Sequence, residues 1–188
     1  MAFLYPVFMD LTDVSVLLVG GGPVSFRKAS GMAEAGAVIT VVAPDVVPEL
    51  AALAGTVWQR PYRSADVAGH RLVITATSDA EVNAQVARDA QAAGIWVNSA
   101  DDPVNCTFIL PAIARRGPLI AAISTGGSSP ALAGRLRDAV AAQVLTEQAA
   151  AAAVDLARQR AEIHAAGGST ESVDWTDRVQ AALGGESA

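Results

Sequence analysis

The sequence is nearly without lysine. Lys28 is the only one, and the other twelve basic residues are arginines. Schiff-base chemistry would have to run on Lys28, and its place just after a glycine-rich turn argues against that role. Cysteine is as scarce. The lone Cys106 has no partner for an internal disulfide, which fits a reducing, cytoplasmic setting. No histidine lies near it in a catalytic pattern, so Cys106 reads as a small packed residue rather than a nucleophile. The only two histidines, His70 and His164, lack ligand spacing, and no protein metal site is expected. Aromatic residues make up 5%, too few for large aromatic platforms. No apolar run reaches membrane-spanning length, so no membrane span is expected. The start, Met1 to Pro6, has neither the basic nor the apolar region of a secretory signal. Positive charge is outnumbered 13 to 19, and the net −6 argues against general nucleic-acid binding.

Apolar residues, in contrast, are plentiful. They make up 52% of 188 residues, much of it alanine and valine, which suits tightly packed α/β layers. Val14–Val19 is a short β-branched run ending in Gly20-Gly21-Gly22, and it reads as a buried parallel strand. A helix is predicted from Val24 to Ala35 behind Pro23, closed by Gly36, and a second strand over Val38–Val42. The alternation continues. A short helix is predicted over Asp45–Ala54, strands over Thr56–Arg60 and Leu72–Ala76, and a helix over Asp79–Ala93 capped by Ser78 or Asp79. A strand over Ile95–Val97 follows, and His70 is read as beginning the strand before it. Repeated βα units of this size predict a Rossmann-type, doubly wound parallel sheet. The pattern then changes. Thr107–Ala114 and Leu119–Ser124 read as an antiparallel pair around Gly117-Pro118. A polar Gly-rich loop, one long helix from Pro130 to about Ala165 and a last helix over Glu171–Leu183 complete the chain. The expected organisation is a dinucleotide-binding domain over 1–112, a small α+β region over 113–145 and a C-terminal helical segment over 146–188.

The segment Gly20-Gly21-Gly22-Pro23-Val24-Ser25 fits G-x-G-x-x-S. Gly20 permits the tight turn, Gly22 leaves room for a pyrophosphate against the backbone, and Ser25 is small enough for helix–sheet packing. The helix N-terminus then offers free N–H groups to phosphate. The strand before and the helix and strand after supply the context that the motif requires. At the end of the second strand, Asp45 stands slightly late for the ribose-binding acid. It suits either that role or the cap of the next helix. No Arg or Lys follows that strand closely, so NAD is expected over NADP.

Beyond these patterns, Phe3–Phe8, Val19–Lys28 and Val41–Pro44 resemble the precorrin-2 dehydrogenase family, which includes the N-terminal part of siroheme synthases. Thr75–Thr77 with Asn83, Asn98 with Asp101, Phe108–Ala112 and the loop Ser124–Ala133 with Arg135 and Arg137 match as well, so the resemblance covers about residues 3 to 140. It implies NAD-dependent oxidation of precorrin-2 to sirohydrochlorin. In some members it also implies insertion of ferrous iron, which makes ferrous iron a candidate substrate. It implies a homodimer built through the second region. The family's catalytic aspartate falls on Asp101, and its NAD contacts fall on Pro23-Val24 and Pro44-Asp45. Its loop serine falls on Thr125, which keeps the hydroxyl. Residues 141–188 do not match the family's helical segment that covers the tetrapyrrole.

Two acids are adjacent in the Asp101-Asp102-Pro103 turn, and pattern does not separate a proton acceptor from a turn brace. A polycarboxylate substrate calls for local positive charge on an acidic protein, and Arg115, Arg116, Arg135 and Arg137 supply it against Asp138. Thr125 and Ser128 are candidate carboxylate binders, and Ser129 is the best helix cap. One rival reading is an NAD-sensing module without catalysis, which would have no use for the Asp101 loop. A short-chain dehydrogenase is excluded, because Tyr5 and Tyr62 have Met9 and Asp66 where the catalytic lysine is needed.

Overall fold

A computed structural model describes residues 4–184. Contacts divide the chain into two compact units, which meet in sequence between Leu110 and Pro111.

The first unit is built on five parallel strands: β1 (Ser15–Val19), β2 (Val38–Val42), β3 (Thr56–Trp58), β4 (Leu72–Thr75) and β5 (Trp96–Ser99). Their order is β3-β2-β1-β4-β5. The chain builds outward from β1 to β3, then crosses back to β4 on the other side of β1. The strand order reverses there, which is where ligands bind in open α/β sheets, beyond the carboxyl ends of the strands. Helices α1 (Pro23–Ala33) and α2 (Pro48–Leu53) cover one face, and α3 (Ala80–Ala92) covers the other.

Both faces are buried, which is why the strands read as unbroken apolar runs. Val16 and Leu18 of β1 pack with Ile39, Val41, Met32 and Leu50, while Leu17 and Val19 pack with Val73, Val97 and Val86. Each such side chain contributes about 1.5–3 kcal/mol on burial. Pro23 occupies the first turn of α1, as expected. The Asp79 carboxylate caps α3 by accepting from the N–H groups of Glu81 (2.9 Å) and Val82 (3.2 Å).

The second unit holds the antiparallel hairpin β6 (Ala112–Arg116) and β7 (Leu119–Ile123), with helices α4 (Pro130–Gln143), α5 (Glu147–Ala165) and α6 (Thr176–Ala182). Gly117, at φ +52°, makes the turn, and α4 packs on both strands.

Several elements differ from the sequence-based expectations. The segment from Thr107 does not join the hairpin. Its N–H donates to the Val97 carbonyl at 2.8 Å and its hydroxyl accepts from the Val97 N–H at 2.8 Å, which ties it to β5. The hairpin therefore starts at Ala112. The long helix is two helices. Thr146 accepts from the Ala149 N–H at 3.1 Å and starts α5, while Leu145 turns inward and is buried. Alanine-rich sequence on both sides hides that cap. The last helix begins at Thr176 rather than Glu171, because Asp174 accepts from the Thr176 N–H and the Trp175 indole donates to the Thr170 carbonyl. His70 lies in the turn before β4, its N–H given to the Val67 carbonyl.

Candidate functional site

The three glycines after β1 serve three purposes. Gly20 adopts φ +121°, and a Cβ there would lie 2.5 Å from the Ala76 carbonyl oxygen. Only glycine fits that turn. A Cβ on Gly21 would lie 1.8 Å from the Asp45 carbonyl oxygen, so the loop after β2 is seated directly on this residue. The Gly21 carbonyl also accepts from the Val47 N–H at 2.9 Å. Gly22 has nothing within 4 Å of where its Cβ would be. Protein packing does not require a glycine there, whereas a phosphate group against the backbone does. Gly22 caps α1 with no side chain, which leaves the N–H groups of Val24 and Ser25 without a side-chain cap. Ser25 is fully buried and its hydroxyl donates to the Ala76 carbonyl at 3.4 Å, so the small third position is used for packing. These residues fit a dinucleotide pyrophosphate.

Pro44 and Asp45 are exposed beside this turn. The cap of α2 is Val47, which removes the capping role from Asp45 and leaves its carboxylate outside any helix terminus.

Next to the turn lies a hollow of about 580 Å³, lined by Val24, Ala76, Thr77, Ser78, Ala80, Asn83, Ala100, Asp101 and Asp102. It sits at the carboxyl ends of β4 and β5, at the reversal of strand order. Its wall is pinned by the buried Asn83. That amide oxygen accepts from the Thr75 hydroxyl (2.5 Å) and the Thr77 N–H (3.1 Å), and its nitrogen donates to the Thr77 carbonyl (3.0 Å).

The two neighbouring aspartates separate here. Asp102 accepts from the Asn105 side-chain amide at 2.6 Å, and its carbonyl accepts from the Asn105 N–H at 3.2 Å. It braces the turn. Asp101 has left-handed backbone, at φ +58°, and is exposed. Its carboxylate makes no hydrogen bond to another described residue and lines the hollow. A carboxylate that no neighbouring donor holds can accept a proton.

Behind Asp101, the Lys28 ammonium donates to the Asn98 side-chain oxygen at 3.0 Å, across seventy residues of sequence. Burial pulls its pKa down, and the neighbouring Cys106 and Asp101 push it up. Asn98 is buried and donates to the Phe108 carbonyl at 3.0 Å. Cys106 is half-buried, with its sulfur 3.2 Å from both the N–H and the carbonyl of Ser99. Burial pushes its thiol pKa up, in keeping with a packed residue. Sequence reasoning placed no binding role on Lys28, because nothing local marks a contact made so far along the chain.

In the second unit, the Thr125 hydroxyl donates to the Ser129 carbonyl and accepts from the Ser129 N–H, both at 3.0 Å. It holds the Gly-Gly loop closed. Ser128 is exposed, and its N–H donates to the Thr125 carbonyl at 3.1 Å. Ser129 caps α4 through the Leu132 N–H at 3.2 Å. Arg115 is exposed, and Arg116 pairs with Glu147. Gly20, Gly21, Gly22, Pro23, Val24, Pro44, Asp45 and Asp101 thus come to one end of one sheet, while Thr125, Ser128, Arg115 and Arg116 belong to the other unit. Among the described residues, no cluster of three or more His, Cys, Asp or Glu could hold a metal. No helix among them is long and apolar enough to cross a membrane.

Comparison with known proteins gives a consistent result. Residues 7–112 match a family model described as "Putative NAD(P)-binding", and residues 116–143 match the model of the central part of sirohaem biosynthesis proteins. The chain is 52% identical over 136 residues to a siroheme synthase of Pseudomonas putida, covering 70% of this chain and 29% of that protein. It is 40% identical over 184 residues to a siroheme synthase of Methylobacillus flagellatus, covering 95% of this chain and 39% of that one. The chain therefore spans roughly a third of the length of these curated relatives. A solved structure of the precorrin-2 dehydrogenase SirC superposes with a TM-score of 0.71 at 30% identity, covering 96% of this chain and 88% of that one.

Proposed function

The chain belongs to the precorrin-2 dehydrogenase family, and on that premise we propose that it oxidises precorrin-2 to sirohydrochlorin, with NAD as the oxidant. The single observation that carries the reading is Asp101, a carboxylate without a hydrogen bond to another described residue, on the wall of a hollow beside a dinucleotide turn. The substrate gives up a hydride and a proton. NAD, when bound, supplies the hydride acceptor. When it is bound, Gly22 and the uncapped N–H groups of Val24 and Ser25 would hold its pyrophosphate, and the exposed Asp45 carboxylate would take its ribose. Asp101 takes the proton, while Asp102, tied to Asn105, keeps the turn in shape. A sensing module would have no use for an exposed carboxylate on this wall.

The remaining assignments belong to the same proposal. Arg115, Arg116, Ser128 and the Thr125 loop receive carboxylates of the tetrapyrrole. The second unit forms the contact of a homodimer. Ferrous iron is a second substrate, held by the tetrapyrrole nitrogens, with Asp101 taking the displaced pyrrole protons. The setting is cytoplasmic, where Cys106 stays reduced. Anaerobic incubation of the protein with precorrin-2 and NAD should yield NADH and the sirohydrochlorin spectrum in equal amounts, and ferrous iron should then give siroheme. Tight NAD binding without any turnover would leave the sensing module standing instead.

A further inference from the structure

Lys28 is a half-buried cation with no carboxylate within ion-pair distance among the described residues. Such a group is costly unless something anionic meets it. Its hydrogen-bond partner among the described residues is the neutral Asn98 oxygen, and Asn98 is itself fixed by the Phe108 carbonyl. An ammonium has three donors, so two remain unused. The charged and titratable groups near it are Cys106, Asp101 and Arg27, and of these Asp101 lines the hollow.

We propose that Lys28 is a substrate-binding residue, which takes a carboxylate of the tetrapyrrole beside Asp101 through its two unused N–H donors. This rests on the reading of Asp101 as the proton acceptor. The anchor draws the polycarboxylate to Asp101, and Asn98 sets the direction of the ammonium. A cofactor phosphate offers the same anionic oxygens, so the test separates the two sources.

Because the chain has one lysine, trinitrobenzenesulfonate labels a single side chain, with the N-terminal amine as internal control. Sirohydrochlorin should slow labelling of the Lys28 peptide about tenfold or more, and NAD alone should not. Lys28→Met should raise KM for precorrin-2 about tenfold or more with little change in kcat or in NAD affinity, as for loss of one charge-assisted hydrogen bond. Lys28→Arg should restore most of it. Protection by NAD alone, or an unchanged KM in a folded Lys28→Met protein, would overturn the proposal. Protection by sirohydrochlorin should persist in Asp101→Asn, so failure of the anchor and failure of the Asp101 assignment give different results.

Discussion

Gly21 and Gly22 are neighbours of one type, and what surrounds each predicts opposite results. An added side chain at Gly21 meets the Asp45 carbonyl and displaces the loop after β2. At Gly22 an added Cβ has nothing within 4 Å. Gly22→Val should therefore lower the melting temperature only by the loss of a good helix cap and weaken NAD binding about tenfold or more, since it fills the approach to the pyrophosphate. Paired calorimetric titration and thermal melts check both halves. In the unsubstituted protein the same titration should show NAD binding tighter than NADP, because no base follows β2 closely. The roles of the glycines as a group were legible in the sequence, because strand, turn and helix punctuate them. Their division of labour was not, since the Asp45 loop arrives from beyond β2. The same holds for Asp101 and Asp102, which are identical in chemistry and adjacent. The bond from Asn105 to Asp102 and the left-handed backbone of the exposed Asp101 tell them apart.

Among the elements, the link from β3 to β4 is held by one carboxylate. Asp66 is buried and receives both terminal nitrogens of Arg60 at 2.7 Å, together with the Arg63 N–H at 2.9 Å. Arg60 in turn stacks over Trp58, 5.1 Å from the ring centre. The Arg60 guanidinium holds the Asp66 carboxyl below the usual carboxylate range. Its stabilising contribution is therefore complete above about pH 4, the unfolded value, and fades as pH falls through the lowered folded value. Asp66→Asn should cost about 1–3 kcal/mol at pH 7, because Arg60 keeps some access to water while a charge-assisted pair is lost. The cost should shrink in acid. Urea melts from pH 7 down to pH 3 would show the two proteins converging, and a constant gap would contradict this assignment.

Element boundaries were legible wherever a cap or an unbroken apolar run marked them, as at Asp79, Ser129 and β1. They were hidden where the deciding contact was distant, as in the tether of Thr107 to Val97. They were hidden too where alanine ran on both sides of a break, as at Leu145-Thr146.

On the scale of the whole molecule, the doubly wound order of the first unit follows from the repeated βα pattern, and the site follows from that order. The second unit exposes Ile120, Leu132, Leu136 and Val144. Apolar side chains in that number suit a contact between copies. Light scattering should give about 38 kDa, twice the 19.1 kDa chain. A monomer at micromolar concentration would exclude the dimer. The central claim is that Asp101, and not its neighbour, takes the proton from the substrate. The most direct measurement is the anaerobic rate of precorrin-2 oxidation in Asp101→Asn and Asp102→Asn, followed as NADH formed. Asp101→Asn should slow the oxidation by about 10²–10⁴-fold, the usual worth of a general base, with NAD affinity and melting temperature preserved. Asp102→Asn should oxidise the substrate at close to the parent rate. Equal rates in the parent and in Asp101→Asn would contradict it.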